Sequence, residues 1–269
     1  MLDPECSTKR CLSATESRMN ELILTTARDA ALAAGGMIRG HFERELNVDS
    51  AEAHDIKLEL DRRSQALIES LILTIFPGHA IYGEEGVRGD QSASDQWIID
   101  PIDGTVNFFY GVPHFAVSIA HRRDGVITAG VIYQPMTGEL WEASRATGRA
   151  LLNGRPIRVS ERAQLSDAIV SVGVSKTEAS IEKGLPVLGA MMRSVRKTRM
   201  MGSAALDIAY VASGRLDAYI ESQISLWDIA AGMLLVELAG GKVDLKPHES
   251  VPDKFSVVAS SGRIPFTHL

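Results

Sequence analysis

Tight-turn signals at Asp124-Gly125, Pro135–Gly138 and Asn153-Gly154 separate apolar runs at Phe115–Ala120, Val126–Tyr133 and Leu140–Ala143. Asp-Gly and Asn-Gly dipeptides tolerate the positive φ that short hairpin turns need, so runs joined in this way pair antiparallel with their neighbours. Residues 115–159 are therefore expected to form an antiparallel sheet. After about Ser160 the pattern changes to an alternation of strand and helix. Strands are expected at Ala168–Val174, Val195–Met200, Leu216–Ile220, Lys242–Leu245 and Phe255–Ala259, and helices at Ile181–Met192, Ala204–Ala212 and Ile229–Leu238. Such alternation implies a second, layered α/β region.

Upstream, residues 1–12 read as a disordered leader. Ser13 and Glu16 have capping-box spacing, and apolar residues from Met19 to Phe42 recur at helical intervals. Gly35 and Gly36 weaken that helix without ending it, and leave room for another backbone to come close. A polar stretch covers 43–54. Asp61 opens a second helix that Pro77-Gly78 stops, and Ala80–Tyr82 is a short strand ending at Gly83-Glu84-Glu85-Gly86.

With 269 residues the chain can bury a full core. Its net charge of −6, with no Lys/Arg-rich block, argues against a nucleic acid polymer as partner. No apolar run approaches the ~18 residues of a membrane span, and the N-terminus lacks a signal-peptide core. Cys6 and Cys11 make neither a disulfide framework nor a zinc site. A soluble, cytoplasmic protein is expected.

The chemistry concentrates in Trp97–Phe108. An apolar strand there runs into a turn rich in Asp, Pro and Gly, with Asp100 and Asp103 where the strand stops. Gly104 permits close backbone approach and Thr105 adds a hydroxyl. Carboxylates, carbonyls and hydroxyls are the oxygen ligands of hard cations such as Mg²⁺. By itself the stretch reads equally well as an Asx turn. Taken singly, Asp61 and Asp228 read as helix N-caps, and Glu84 as part of a solvated turn.

In order, Ile81–Glu85, Trp97–Asn107, Trp227–Gly232 and Glu237–Gly241 resemble the two signatures of the inositol monophosphatase family. Asp61, six residues after Asp55, resembles that family's upstream aspartate segment. The resemblance runs from about Met19 to Ala259. It implies an α-β-α-β-α layered sandwich of the α/β (α+β) class, like that of inositol monophosphatase and fructose-bisphosphatase. Residues 13–160 would form an N-terminal α+β part with most metal ligands, and 161–269 a C-terminal α/β part with Asp228 and the substrate-facing residues.

The resemblance further implies two or three Mg²⁺ ions held by Glu84, Asp100, Asp103, Asp228 and the Ile102 carbonyl. Thr105 with Glu84 would activate the attacking water, and Asp61 would pair with Thr105 as orienter or proton acceptor. The amides of Gly104 and Thr105 would hold the phosphate. Gly202, Ser203 and Ala204 resemble the second phosphate- and substrate-facing segment, where a helix N-terminus offers N–H groups and positive dipole to an anion. Glu221, seven residues before Asp228, resembles the contact to a substrate hydroxyl. A homodimer and inhibition by Li⁺ are also implied.

The implied activity is hydrolysis of inositol-1-phosphate or a similar small polyol or sugar phosphate. Histidinol phosphate, a nucleotide 3′-phosphate or a sugar bisphosphate are alternatives, because the loop Asp49–His54 lacks a lysine common in the family's inositol phosphatases. Ser175, Lys176 and Glu221 would discriminate among them. A non-catalytic protein on the same scaffold would have lost a metal carboxylate or Thr105, and all are present. His54 reads as a solvated loop residue, and the other six histidines show no ligand spacing. Met191-Met192 and Met200-Met201 read as core or gap-filling residues. Arg193, Arg196, Lys197 and Arg199 form a basic cluster near the Gly202–Ala204 segment that reads as a solvated face ahead of the alternative, steering of an anionic substrate.

Overall fold

A computed structural model describes residues 14–44, 48–52, 55–174, 177–248, 251 and 253–266. Ser13, the cysteines, His54, Ser175 and Lys176 lie outside the described residues. In chain order the elements are α1 (Ala14–His41), β1 (Val48–Glu52), β2 (Asp55–Leu58), α2 (Glu59–Ile75), β3 (Ala80–Gly83), β4 (Gly86–Arg88), β5 (Asp95–Asp103), α3 (Thr105–Phe109), β6 (Ala116–Arg123), β7 (Val126–Gln134), β8 (Glu139–Ser144), β9 (Arg149–Leu152) and β10 (Arg155–Pro156). The second half adds β11 (Ile169–Val172), α4 (Glu178–Ser194), β12 (Lys197–Arg199), α5 (Ala204–Ala212), β13 (Ala218–Ser225), α6 (Leu226–Leu238), β14 (Lys242–Pro247) and β15 (Lys254–Ser260).

The hairpin signals are realised as a meander, β5 to β10, within an eight-stranded sheet of order β10-β9-β8-β7-β6-β5-β3-β4. Only β3 and β5 pair parallel in it. Alternation along β5 sends Trp97 and Ile99 to one face and Ile98 to the other. The first face packs on α1, through Ile23, Ala27, Ala30, Ala34 and Ile38, and on Ile68 and Ile72 of α2. The opposite face, with Ala120, Ile132 and Trp141, packs on α5 and α6. A five-stranded sheet, β12-β11-β13-β15-β14, covers the far side of those two helices. Tyr219 and Val257 point into that middle layer, while Val170 and Ile220 face outward with Met191 of α4.

The layers are thus α1/α2, eight strands, α5/α6, five strands and α4, an α-β-α-β-α sandwich. The middle position explains the composition of α6. Ile229, Ala230, Ala231, Leu234, Leu235 and Val236 are all buried, because a helix between two sheets has no solvent side.

Several local expectations change. The polar stretch after α1 forms the β1–β2 hairpin. At Gly35 a Cβ would lie 2.4 Å from the Tyr133 ring, so the close neighbour there is a side chain, not a backbone. Met191 is buried, but Met192 and Met200 are 68% and 58% exposed and fill no core gap. Among the described residues no helix is long and apolar enough to cross a membrane.

Candidate active site

Asp100 and Asp103 from β5 and Asp228 from α6 each bring one carboxylate oxygen to within 4.8 Å of the others. Asp100 and Asp228 are pinned by local backbone. β5 does not stop at Asp100; it continues to Asp103, with its pairing to β6 shifted between the two. Pro101 sits at that shift, where the missing N–H breaks no ladder bond. The irregular register lets Asp100 Oδ1 accept from Ile102 N (3.0 Å). Asp228 is the third residue of α6, not its N-cap, and its Oδ2 accepts from Ser225 N (3.0 Å). Glu84, just past β3, donates its amide to Ile99 O of β5 (3.1 Å), which sets it beside the strand carrying the aspartates.

Crowding of acids shows in their proton affinities. Burial, and then the charges of Glu84, Asp103 and Asp228, hold Asp100 well above the usual carboxylate range. Burial pushes Asp103 up to about 7, against hydrogen bonds that favour its anion. Asp228 is pushed up to about 7 by desolvation and then by the Asp103 charge.

Asp61 lies beside this group. α2 opens at Glu59, so Asp61 is its third residue and accepts from Leu58 N through Oδ2 (2.9 Å). Its other oxygen, Oδ1, is 3.3 Å from Thr105 Oγ1, which is also 2.9 Å from Ile102 O. Desolvation raises Asp61 to about 7, with Glu84 and Glu85 adding to the shift. Gly104, at φ 92°, turns the chain from β5 into α3, a short helix that periodicity could not reveal. A Cβ there would meet His114 O at 3.0 Å and Gly202 O at 3.1 Å.

Gly202, Ser203 and Ala204 reach the same place from the other half of the chain, at the start of α5. Donors of Ser203, Ala204 and Ala205 are turned on Asp103. Ser203 Oγ donates to Asp103 Oδ2, Ala205 N to Oδ2 (2.9 Å) and Ala204 N to Oδ1 (3.3 Å). Asn107 is a supporting residue that lay unread inside the Trp97–Phe108 stretch. Its Nδ2 donates to His114 O (2.8 Å) and Met201 O (2.9 Å), tying the aspartate loop to the lead-in of α5.

The sequence model of the "Inositol monophosphatase family" matches residues 19–268. The chain belongs to the inositol monophosphatase family. It is 40% identical over 248 residues to the Nus factor SuhB of Pseudomonas aeruginosa, covering 89% of this chain and 91% of that protein. It is 41% identical over 201 residues to the inositol-1-monophosphatase of Rhizobium meliloti, covering 74% and 75%. The solved extragenic suppressor protein suhB from Bartonella henselae superimposes with a TM-score of 0.82 at 34% identity, over 90% of this chain and 95% of that one.

Within this inositol monophosphatase family chain, Glu221 of β13 accepts a hydrogen bond from the Tyr219 hydroxyl and feels the charges of Asp228 and Asp103. Burial first, opposed by a hydrogen bond from Tyr219 and reinforced by the charges of Asp228 and Asp103, raises its carboxyl to about 8.

A second group, His79, Asp95 and His121, gathers near the start of β5 and corrects the impression that the histidines are scattered. Strand pairing sets His121 opposite Trp97, a contact that sequence spacing could not disclose. Trp97 Nε1 donates to His79 Nδ1 (3.1 Å), so the neutral His79 ring carries its proton on Nε2. Arg123 Nε donates to Asp95 Oδ1 (2.6 Å). His121, pushed down to about 4 by burial, stays neutral with Nδ1 2.6 Å from Thr128 Oγ1. These partners make the group a structural network.

Proposed function

We propose that the chain is a Mg²⁺-dependent phosphomonoesterase acting on inositol-1-phosphate or a similar small polyol or sugar phosphate. The observation that carries the reading is the convergence of Asp100, Asp103 and Asp228 beside the Thr105–Asp61 pair. The donor set suits Mg²⁺. It is all oxygen, and burial first, then the charges of Glu84, Asp103 and Asp228, raises Asp100 where no cation offsets them. Glu84, Asp100, Asp103, Asp228 and the Ile102 carbonyl would hold two or three ions. Bound Mg²⁺ supplies Lewis acidity, a lowered water pKa and charge neutralisation at the leaving oxygen, for one of the slowest uncatalysed reactions.

The protein's own groups do the rest. Thr105 Oγ1 accepts a hydrogen bond from the attacking water while donating its own hydrogen to Asp61 Oδ1. Asp61, at about 7, is matched to take a proton near neutral pH. The amides of Gly104 and Thr105 face the phosphate. Ser203, Ala204 and Ala205 hold Asp103 in place, and Glu221 meets a substrate hydroxyl. The same reading carries a homodimer, a cytoplasmic location and inhibition by Li⁺.

Phosphate release from inositol-1-phosphate, histidinol phosphate, 3′-phosphoadenosine 5′-phosphate, fructose-1,6-bisphosphate and glycerol-2-phosphate, with Mg²⁺ and with EDTA, tests it. Mg²⁺-dependent release, fastest from a polyol phosphate, is expected. No release from any compound, together with no Mg²⁺ binding, ends the enzyme reading. A second reading, a Nus-factor role, draws on the 40% identity to the Pseudomonas aeruginosa protein of that name. It gains ground if Mg²⁺ binds and nothing is hydrolysed.

A further inference from the structure

Glu221 does not stand alone on β13. Two residues earlier on the same strand face, Tyr219 is buried to 1% exposure in the layer between the sheets, and its hydroxyl donates to Glu221 Oε2. Across the parallel pairing of β11 and β13, Gly173 follows the Val172–Ile220 pair and donates its amide to Ile220 O (2.9 Å). A Cβ on Gly173 would lie 1.9 Å from Glu221 Oε2 and 2.7 Å from the Tyr219 hydroxyl oxygen. Gly173 is therefore kept side-chain-free by this pair, not by its own backbone angles. One carboxylate oxygen of Glu221 is committed inward, gripped between a buried phenol and a bare stretch of β11.

That arrangement has a directional consequence. A carboxylate has two oxygens with about four acceptor sites between them. Fixing Oε2 on Tyr219 restrains the plane of the group and leaves Oε1 uncommitted by that bond, in a carboxyl that also feels the charges of Asp228 and Asp103. Tyr219 can hold this role across the working pH range. Burial, then the nearby charges of Glu221 and Asp207, push its phenol well above the usual value, so it remains an O–H donor. A glutamate without such a tether would sample several rotamers, and each substrate contact would then carry the cost of ordering it.

We propose that Tyr219 is a positioning residue that aims Glu221 Oε1 at a hydroxyl of the substrate, and so sets the preference for polyol phosphates over phosphate esters that lack a hydroxyl. The inference rests on the reading of Glu221 as the hydroxyl contact. Tyr219 touches neither phosphate nor reacting water, so its effect falls on discrimination and KM, not on the chemical step.

The test is the ratio of kcat/KM for inositol-1-phosphate to that for phenyl phosphate, measured with Mg²⁺ in the wild type, Tyr219→Phe, Glu221→Ala and the double variant. Tyr219→Phe keeps the buried ring and removes only the hydroxyl, and thermal unfolding of each variant checks that the fold persists. The expected result is a fall of about tenfold in the ratio for Tyr219→Phe, the scale of one lost hydrogen bond. It should appear mainly as a raised KM for inositol-1-phosphate, with no further fall when the change is added to Glu221→Ala. A wild-type ratio in Tyr219→Phe alongside a lowered ratio in Glu221→Ala overturns this inference alone. So does a Tyr219→Phe effect that persists undiminished in the Glu221→Ala background. A wild-type ratio in Glu221→Ala removes the hydroxyl-contact reading, and the inference with it.

Discussion

Ala205 N donates to Asp103 Oδ2 across 2.9 Å, joining residues 102 positions apart in sequence. With Ser203 Oγ and Ala204 N also turned on the same carboxylate, a candidate metal ligand from β5 caps the start of α5. A helix N-terminus favours a nearby anion, so the contact both anchors the helix and supports the charge of Asp103. The candidate ligand site and the join between the two halves of the chain are thus one feature.

Replacing Asp103 or Asp228 by Asn should lower turnover on the order of 10³-fold, the scale of losing a preorganised charge-stabilising group. Asn keeps an acceptor oxygen for Ser225 N at position 228 and for Ala205 N at position 103, but at position 103 its NH2 replaces the acceptor of Ala204 N. Circular dichroism in EDTA should therefore stay near wild type, while the melting temperature falls more in Asp103→Asn than in Asp228→Asn. Steady-state rates close to wild type in both variants would refute the site.

Thr105→Ala should reduce kcat by ~10²-fold or more, the usual weight of general acid–base assistance, while Mg²⁺ affinity measured by calorimetry changes little. An equal loss of Mg²⁺ binding would mean that Thr105 acts chiefly through the Ile102 carbonyl it also contacts.

Metal-free protein should lose stability as pH rises. Asp61, Asp103 and Asp228 stand at about 7 in the fold against 3.8 ordinarily. Between those values the folded state binds more protons than the unfolded one, so unfolding free energy declines with rising pH. The decline begins near pH 4 and levels off above about 7. Mg²⁺ binding expels those protons, so its affinity should climb over the same interval. Melting curves from pH 4 to 8, in EDTA and in Mg²⁺, check this: a metal-free melting temperature that rises towards pH 7 contradicts it.

Gly104→Ala should cost about 1–3 kcal/mol, the range for a strained backbone position. The residue combines a φ of 92° with carbonyls of His114 and Gly202 at 3.0 and 3.1 Å from where the new Cβ would sit. A denaturant midpoint unchanged from wild type would show that the loop yields freely.

Li⁺ should inhibit phosphate release at saturating Mg²⁺ and substrate. A titration that leaves the rate flat would remove Li⁺ sensitivity from the reading without touching the carboxylate site.

Much of this was legible in the sequence because the relevant forces are local. Turn dipeptides announced the meander from β6 to β8, and helical spacing of small apolar residues announced α1, α5 and α6. The acidic residues beside strand ends and helix starts were picked out together by their resemblance to the family's signatures, since side-chain type alone left each as a turn or a helix cap. What local signals could not supply was position. Asp61 and Asp228 look like helix-opening residues, and each is in fact third in its helix, reaching back to the preceding amide. The run of β5 past Pro101 escaped notice because a shifted pairing with β6, a partner further along the chain, sustains it.

By itself the sequence determined most of the helices and strands, their order and the oxygen-bearing residue types of the candidate ligand set, since periodicity, turn chemistry and side-chain type are properties of short stretches. Only the tertiary structure decided that β3 lies parallel beside β5, that α5 and α6 fill the space between two sheets, and that Asp103 meets Ala205 and Tyr219 grips Glu221. Burial and pairing between distant segments have no signature within any one segment. They arise when the layers close on one another, and that closure raises the acids' proton affinities and gathers them into a site.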